Sequence, residues 1–172
     1  IAKDNKKEIE QKIRKGLRAD MLLVSGGVSV GDYDFVKDVL ADMGMDMKFW
    51  KVAMRPGKPL AFGMLVTRRP TLRKVPVFGL PGNPVSSMIS FEQFVRPAIL
   101  KMAGATDLFR FHLPAIIKEK VTKKKGLRYF MRSVLENQNG ALSVHLTGPQ
   151  GSGILKSMVL ANGIMELPED VS

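Results

Sequence analysis

Three short segments of this 172-residue chain carry residue types that can hold an anion. The first, Ser25-Gly26-Gly27-Val28-Ser29-Val30-Gly31-Asp32-Tyr33-Asp34, sets glycines and a serine between an apolar run and a helical pattern. At such a junction the free backbone N–H groups and the helix N-terminus attract negative charge, and ligands of open α/β sheets collect at the carboxyl ends of strands. The spacing is not G-x-G-x-x-G, and no Gly-Lys-Ser/Thr follows, so both the dinucleotide fingerprint and the P-loop fail. Glycines at these places also serve a bare tight turn. Asp34 lies beyond the helix cap, where it meets phosphate only through Mg²⁺ or a hydroxyl, and a carboxylate that merely stabilises the helix dipole has the same address.

The second segment, Arg55-Pro56-Gly57-Lys58-Pro59, fixes two cations on a loop stiffened by two prolines. Preorganised positive charge suits an oxyanion, although basic residues are also common in plain solvated connections. The third, Gly79-Leu80-Pro81-Gly82-Asn83-Pro84-Val85-Ser86-Ser87, is again a strand-to-helix junction, with hydroxyls in the first helical turn. Free N–H groups and serine hydroxyls together make an anion cradle. The expectation is that the three loops meet at one rim, with Ser29, Lys58 and Ser86 on the same side of the molecule. Farther on, Arg128-Tyr129-Phe130-Met131-Arg132 puts two arginines four apart, on one face if extended, and a guanidinium can clamp an oxyanion bidentately. Gln150-Gly151-Ser152-Gly153 is a small polar turn without meaning by itself. His112 and His145 lack partner motifs and read as ordinary strand residues, and Met43, Met45 and Met47 as core filler.

The elements that must position these loops follow from periodicity. Asp4 is a candidate cap for a helix with Ile9, Ile13 and Leu17 on its apolar face. Met21 to Val24 runs continuously apolar after Asp20, as a strand buried on both faces does. Asp32 is placed to cap a helix bearing Phe35, Val36, Val39 and Leu40. Met47 to Ala53, Leu60 to Val66 and Val75 to Leu80 are strand-like, and Arg68 to Lys74 reads as a basic surface loop. Asn83 as cap and Pro84 at the first helical position start a long helix that Pro97 kinks or divides. Strands alternating with helices in this way argue an α/β unit with a mainly parallel sheet.

After Gly104 the helix signal stops. Phe111 to Val121, Arg128 to Asn137, Ala141 to Leu146, Ile154 to Leu160 and Ile164 to Leu167 follow as strand-like runs, and Asn139-Gly140 is a hairpin signal. The division predicted is residues 1–104 as a partial α/β domain and 105–172 as a small all-β, barrel-like domain. Lys123 to Lys125 reads as a solvated triplet.

The 27 Lys and Arg against 16 Asp and Glu give a formal charge of +11, which favours acidic ligands or partners. Of this excess +8 falls in residues 1–104 (18 basic, 10 acidic) and +3 in 105–172 (9 and 6). With no cysteine, disulfide scaffolds, thiolate metal sites and thiol nucleophiles are excluded, and the lean is to the cytoplasm. No run approaches the roughly 20 apolar residues of a membrane helix, so no membrane partner is expected. The chain opens Ile1-Ala2-Lys3-Asp4 without a signal-peptide pattern and reads as the body of something longer.

The order SGGVSVGDYDF, RPGKPLAFG, GLPGNPVSS, then an R-x-x-F-x-R-like strand and a Q-x-S turn, resembles the molybdopterin molybdenumtransferase family of bacterial MoeA and the C-terminal part of gephyrin. The resemblance runs from about Ile9 to Pro168. It implies a MoaB/Mog-like α/β domain, here N-terminally truncated, followed by a small β-barrel. It also implies insertion of molybdate into adenylylated molybdopterin, with Mg²⁺ and release of AMP, in molybdenum cofactor biosynthesis. Carried over by the resemblance, Gly26, Gly27, Ser29 and Gly31 lie against the pterin or nucleotide phosphates, and Asp34 helps with Mg²⁺. Lys58 and Pro59 line the molybdate pocket, with Arg55 where lysine is usual. Ser86 after Pro81-Gly82-Asn83-Pro84, together with Arg128 and Ser152, completes it. The counterpart of the family arginine is Arg128 or Arg132. Asp34, Lys58 and Ser86 are the implied catalytic residues.

A tetrahedral dianion wants fixed cations with hydroxyl and N–H donors, and the dithiolene of the pterin supplies sulfur, so the missing cysteine is no objection. Family members carry further domains ahead of these residues, so the expectation is a C-terminal fragment incomplete for catalysis, from a parent that forms homodimers. The sister activity, molybdopterin adenylyltransferase, is the near alternative. A basic nucleic-acid-binding module is the rival of another class. Few aromatics in the basic loops and no reading motif argue against nucleic acid.

Overall fold

A computed structural model describes residues 1–27, 35–68 and 72–171. The chain divides into two compact units, Ile1–Val52 with Gly57–Gly82, and Ala53–Pro56 with Asn83–Ser172.

In the first unit, helix α1 (Lys6–Gly16) presents Ile9 and Ile13 to the core as the four-residue spacing requires. Its cap is Asn5 rather than Asp4: the Asn5 side chain accepts from the Glu8 N–H at 2.9 Å. The oxygen of a cap must reach the third helical N–H, and that geometry belongs to the residue one step later. The unit continues as β1 (Leu22–Ser25), α2 (Phe35–Asp42), β2 (Asp46–Trp50), then β4 (Ala61–Thr67) and β5 (Arg73–Leu80), with the two-residue β3 (Met54–Arg55) belonging to the second unit. Ile9, Ile13, Leu17, Val36, Val39, Leu40, Met45, Leu65, Val75 and Val77 form the core, and Met43 and Met47 pack against it as filler.

The sheet order is β1-β5-β4-β2. Only β1 and β5 run parallel; β4 is antiparallel to both of its neighbours. The sheet is therefore mixed rather than mainly parallel. The five residues between β4 and β5 are too few for a crossover, which needs a dozen or more. As an edge strand β1 alternates in burial, and Leu23 is 40% exposed, so its continuous apolar run does not mean burial on both faces. The expected loop Arg68 to Lys74 ends early, because Arg73 and Lys74 begin β5. The Arg73 guanidinium donates to the carbonyls of Leu17, Arg18 and Ala19 at 3.1, 2.6 and 2.7 Å, fastening the turn that follows α1 to the start of β5.

The second unit holds the segmented helix and a curled β half-barrel. Asn83 caps α3 (Pro84–Ser90), with its side chain accepting from the Ser86 N–H at 3.4 Å. A π-turn over Phe91–Val95 separates α3 from α4 (Arg96–Met102), in which Pro97 lacks the N–H of a regular ladder. The strands are β3, β6 (Ile116–Ile117), β7 (Arg128–Gln138), β8 (Ala141–Leu146) and β9 (Gly163–Leu167). Asn139 and Gly140 both have positive φ, 53° and 87°, as a two-residue hairpin between β7 and β8 requires. Two expected strands fail. Phe111 to Val121 pairs only at Ile116–Ile117, and Ile154 to Leu160 forms instead a single helical turn, α5 (Lys156–Val159). Apolar composition marked both segments, but neither has a neighbour offering a full ladder. Tyr129, Met131, Val144 and Met165 are buried together as the barrel core.

Gly63 lies on β4, where a Cβ would stand 2.6 Å from the Asp46 carbonyl oxygen and against the Met45 side chain. Gly63→Ala should lower stability by about 1–3 kcal/mol in urea unfolding, because a backbone carbonyl cannot yield as a side chain does.

Candidate functional site

The sheet register of the first unit decides where its loops emerge. Ser25 pairs with Leu80 and Ala61 with Gly79, so the ends of β1 and β5 and the beginning of β4 share one rim. Gly26 and Gly27, the turn reaching Lys58 and Pro59, and Pro81-Gly82 all leave the sheet there. The Gly26 N–H donates to the Leu80 carbonyl at 3.0 Å. A Cβ on Gly82 would stand 3.4 Å from the Gly26 Cα, so the two glycine loops touch backbone to backbone. Gly26 and Gly27 have positive φ, 85° and 69°, which explains their residue type. The Lys58 carbonyl accepts from the Val52 and Leu60 N–H groups at 2.9 and 3.0 Å, which fixes the loop backbone while the Lys58 side chain stays exposed. Ser29, Gly31, Asp32 and Asp34 lie outside the described residues.

In the second unit the informative strand is β7. It pairs with β3 at Arg128 and Tyr129 and with β8 from Ser133 onward. Strand β9 pairs with Tyr129 to Ser133, overlapping both, so β3 and β8 occupy the same edge of β7 and β9 the other. Residues 130–132 are thus a gap in that edge. The Gln150 side chain fills it: Oε1 accepts from the Arg132 N–H at 2.9 Å, and Nε2 donates to the Arg132 carbonyl at 3.0 Å. The Arg132 carbonyl also accepts from the Thr147 N–H and hydroxyl, both at 3.2 Å, so a side-chain amide and the residue just past β8 stand in for a strand neighbour.

Beside this gap opens a cavity of about 440 Å³ lined by Arg55, Pro56, Thr122, Lys123, Lys124, Tyr129, Phe130, Met131, Arg132, Gln150 and Gly151. Four of its lining residues are cations and none is a carboxylate. Arg132 is only 1% exposed. Its Nε donates to Ser157 Oγ at 3.0 Å and its Nη2 to the Gly151 carbonyl at 3.2 Å. The Ser157 hydroxyl donates to the Ile154 carbonyl at 2.6 Å, so its oxygen is left to accept from the guanidinium. Burial with only neutral partners pulls the Arg132 guanidinium below the ordinary arginine value. Among the described residues no carboxylate pairs with this cation, so the arrangement is able to accept an anion.

Arg128, the other arginine of the strand, is half exposed and bound to Glu166 and Glu169, both at 2.9 Å. Its charge is answered within the protein. Arg55, following Met54 on β3, stands with its guanidinium 5.7 Å from the Tyr129 ring centre. Ser86 is buried in the first turn of α3. Ser152 is partly exposed beside Gly151, and a Cβ on Gly153 would lie 4.0 Å from the Asn83 side-chain nitrogen, which brings this turn toward the cap of α3. His112 and His145 are half exposed on Glu166 and Glu136, away from the cavity lining.

The comparisons with known proteins bear on the whole chain. Residues 1–101 match the family described as "Probable molybdopterin binding domain". This chain belongs to that family. Residues 114–172 match the "MoeA C-terminal region (domain IV)". The chain is 38% identical over 163 residues to "Molybdopterin molybdenumtransferase 2" of Mycobacterium tuberculosis, covering 92% of this chain and 38% of the relative. To the "Molybdopterin molybdenumtransferase" of Haemophilus influenzae it is 38% identical over 170 residues, covering 97% and 40%. The crystal structure of the MoeA protein from Pyrococcus horikoshii superposes with a TM-score of 0.70 at 25% identity, over 98% of this chain and 36% of that one. The chain thus spans about two fifths of the length of these relatives, and the resemblance drawn from its loop motifs holds. No described helix is long and apolar enough to cross a membrane.

Sequence reading missed three residues that build the cavity. Gln150 sat in a turn of no evident meaning, Ser157 in a segment read as strand, and Lys123 in a triplet read as solvated although it is 8% exposed. The spacing of Gln150 from Arg132 gives no periodic signal. Only the interruption of β7 pairing reveals it.

Two outcomes follow. Ser157→Ala should cost about 1–3 kcal/mol in urea unfolding, since a buried charged donor loses its acceptor. Glu169 is held below the ordinary carboxylate value, first by its hydrogen bond from Arg128. A depressed folded value means the pair is intact above the ordinary carboxylate range and lost as pH falls through the folded value. Carboxyl ¹³C NMR should place the Glu169 midpoint below that of an unpaired glutamate, and Arg128→Gln should raise it.

Proposed function

We propose that this chain supplies the oxyanion-receiving part of a molybdopterin molybdenumtransferase, inserting molybdate into adenylylated molybdopterin with release of AMP. The observation that carries the reading is the buried Arg132 guanidinium, oriented by Ser157 and Gly151 while Gln150 holds its backbone, on a cation-lined cavity without a carboxylate. A tetrahedral dianion arriving there takes the remaining guanidinium donors, and Arg55, beside Tyr129 on the same cavity, adds positive potential at longer range. Fixed donors need no reorganisation when the anion binds, and the low local dielectric strengthens each contact.

In the first unit, the touching backbones of Gly26 and Gly82 leave room for a phosphate-bearing ligand to approach the strand ends. We assign Gly26, Gly27, Ser29, Gly31, Pro81 and Gly82 to that ligand, with Asn83 and Pro84 setting the following helix. Lys58, Pro59, Ser86, Arg128 and Ser152 keep the roles the resemblance implies, and the boundary near Gly104 remains our division of the sequence families. Arg132 joins them, because Arg128 already has two carboxylates.

Asp34 is our ligand for Mg²⁺, which would offset phosphate charge during loss of AMP. Among the described residues no cluster of three acidic or histidine side chains forms a metal cage, and the steps above use this chain's own cations and amides. The parent would be a cytoplasmic homodimer without a nucleic-acid role.

Calorimetric titration of molybdate into the chain tests this. Arg132→Gln should weaken binding by about tenfold or more, the worth of a hydrogen bond to a charged group. Binding that is unchanged in the variant, or equal for molybdate and chloride in the parent chain, refutes it.

A further inference from the structure

The cavity is larger than a single oxyanion requires. A water molecule occupies ~30 Å³ of liquid, so four oxygens fill on the order of 120 Å³. The cavity offers about 440 Å³. Its donors also fall into two groups. Tyr129 and Arg132 stand three residues apart on β7, which is about 10 Å along a strand, and odd spacing sends their side chains to opposite faces. A cavity lined by both therefore draws on the two faces of β7, with one set of donors toward Tyr129 and another toward Arg132.

At the Tyr129 end the phenol oxygen accepts from the Lys124 N–H at 3.1 Å. Its own hydrogen has no acceptor among the described residues, although Tyr129 is only 7% exposed. The Lys123 ammonium is 5.6 Å from the ring centre and donates to the Leu127 and Glu169 carbonyls at 3.2 and 3.4 Å. Those partners are neutral, and the Glu169 carboxylate is taken by Arg128. The exposed Lys124 side chain lines the same wall. The Lys124 N–H, then the Arg55 guanidinium, draw the phenol below its ordinary value against the opposing effect of burial, so the hydroxyl is a stronger donor than a free tyrosine.

We propose that Lys123, Lys124 and Tyr129 form a second anion subsite, which takes a phosphate group beside the oxyanion held at Arg132. The donors are two point-charge ammoniums and one hydroxyl on separate stems. This suits a group with three or more acceptor oxygens and not the planar pair of a carboxylate, which calls for an arginine fork. The shared chemistry is a phosphate dianion, whether free or at the end of a larger ligand. The inference rests on the oxyanion reading of Arg132 for its account of the cavity's other end.

Inorganic phosphate titrated into the chain at constant ionic strength, with and without saturating molybdate, tests it, with ³¹P NMR as the second readout. With molybdate saturating, each chain should keep a phosphate site that responds to Lys124 and Tyr129. Lys124→Gln and Tyr129→Phe should each weaken phosphate by about tenfold while molybdate affinity stays within about twofold. Arg132→Gln should do the reverse. If molybdate displaces phosphate one for one, if Lys124→Gln weakens both anions alike, or if phosphate does not bind, the subsite is wrong. If Arg132→Gln leaves molybdate binding intact while Lys124→Gln still weakens phosphate, the subsite stands and the oxyanion reading falls. Ribose 5-phosphate separates the two sources: tighter binding than inorganic phosphate assigns the subsite to the end of a larger ligand, and equal binding assigns it to the free ion.

Discussion

A guanidinium removed from water without a carboxylate to answer it constrains everything around β7. Burying a charge among neutral groups is unfavourable unless its donors are met with good geometry, and Arg132 meets that condition through Ser157 and Gly151. The backbone beneath it has to be satisfied as well. Strands β3 and β8 occupy the same edge of β7 but leave residues 130–132 without a strand partner on that side, and the Gln150 amide, with Thr147, meets the Arg132 backbone there. The same gap that requires Gln150 also opens the cavity. The irregularity of the sheet and the presence of a receptacle therefore have one cause.

The first unit reaches a comparable result by regular means. Parallel pairing of β1 with β5 and antiparallel pairing of β4 with β5 bring two strand ends and one strand beginning to a common rim. Glycine is needed there for two reasons. Gly26 and Gly27 adopt a left-handed backbone, and Gly26 and Gly82 stand within van der Waals contact of one another. Rigidity comes from proline and from backbone hydrogen bonds on the Lys58 carbonyl, leaving the cation itself exposed.

Much of this was legible in the residues. The four-residue spacing of Ile9, Ile13 and Leu17, the Asn83-Pro84 helix start and the Asn139-Gly140 hairpin are local signals with local causes, and they survive folding. The loop motifs carried the family because their glycines and prolines satisfy backbone demands that few other residues meet. The misreadings share a different cause. The apolar run Ile154 to Leu160 is a helical turn and Met21 to Val24 an edge strand, because strand identity depends on which neighbours are available. Arg73 looked like loop charge, yet it holds the turn after α1 across more than fifty residues of sequence.

Sequence alone therefore determined the α/β-then-β order, the loop motifs and the family, since each is set by residue type and short-range spacing. Which cations lose contact with water, and which keep a carboxylate, was decided only by tertiary structure. Arg128 and Arg132 are the same residue type four positions apart, and Lys123 belongs to an ordinary lysine triplet. What separates them is the pairing of β7 with segments distant in the chain, and long-range pairing leaves no period in the sequence that encodes it.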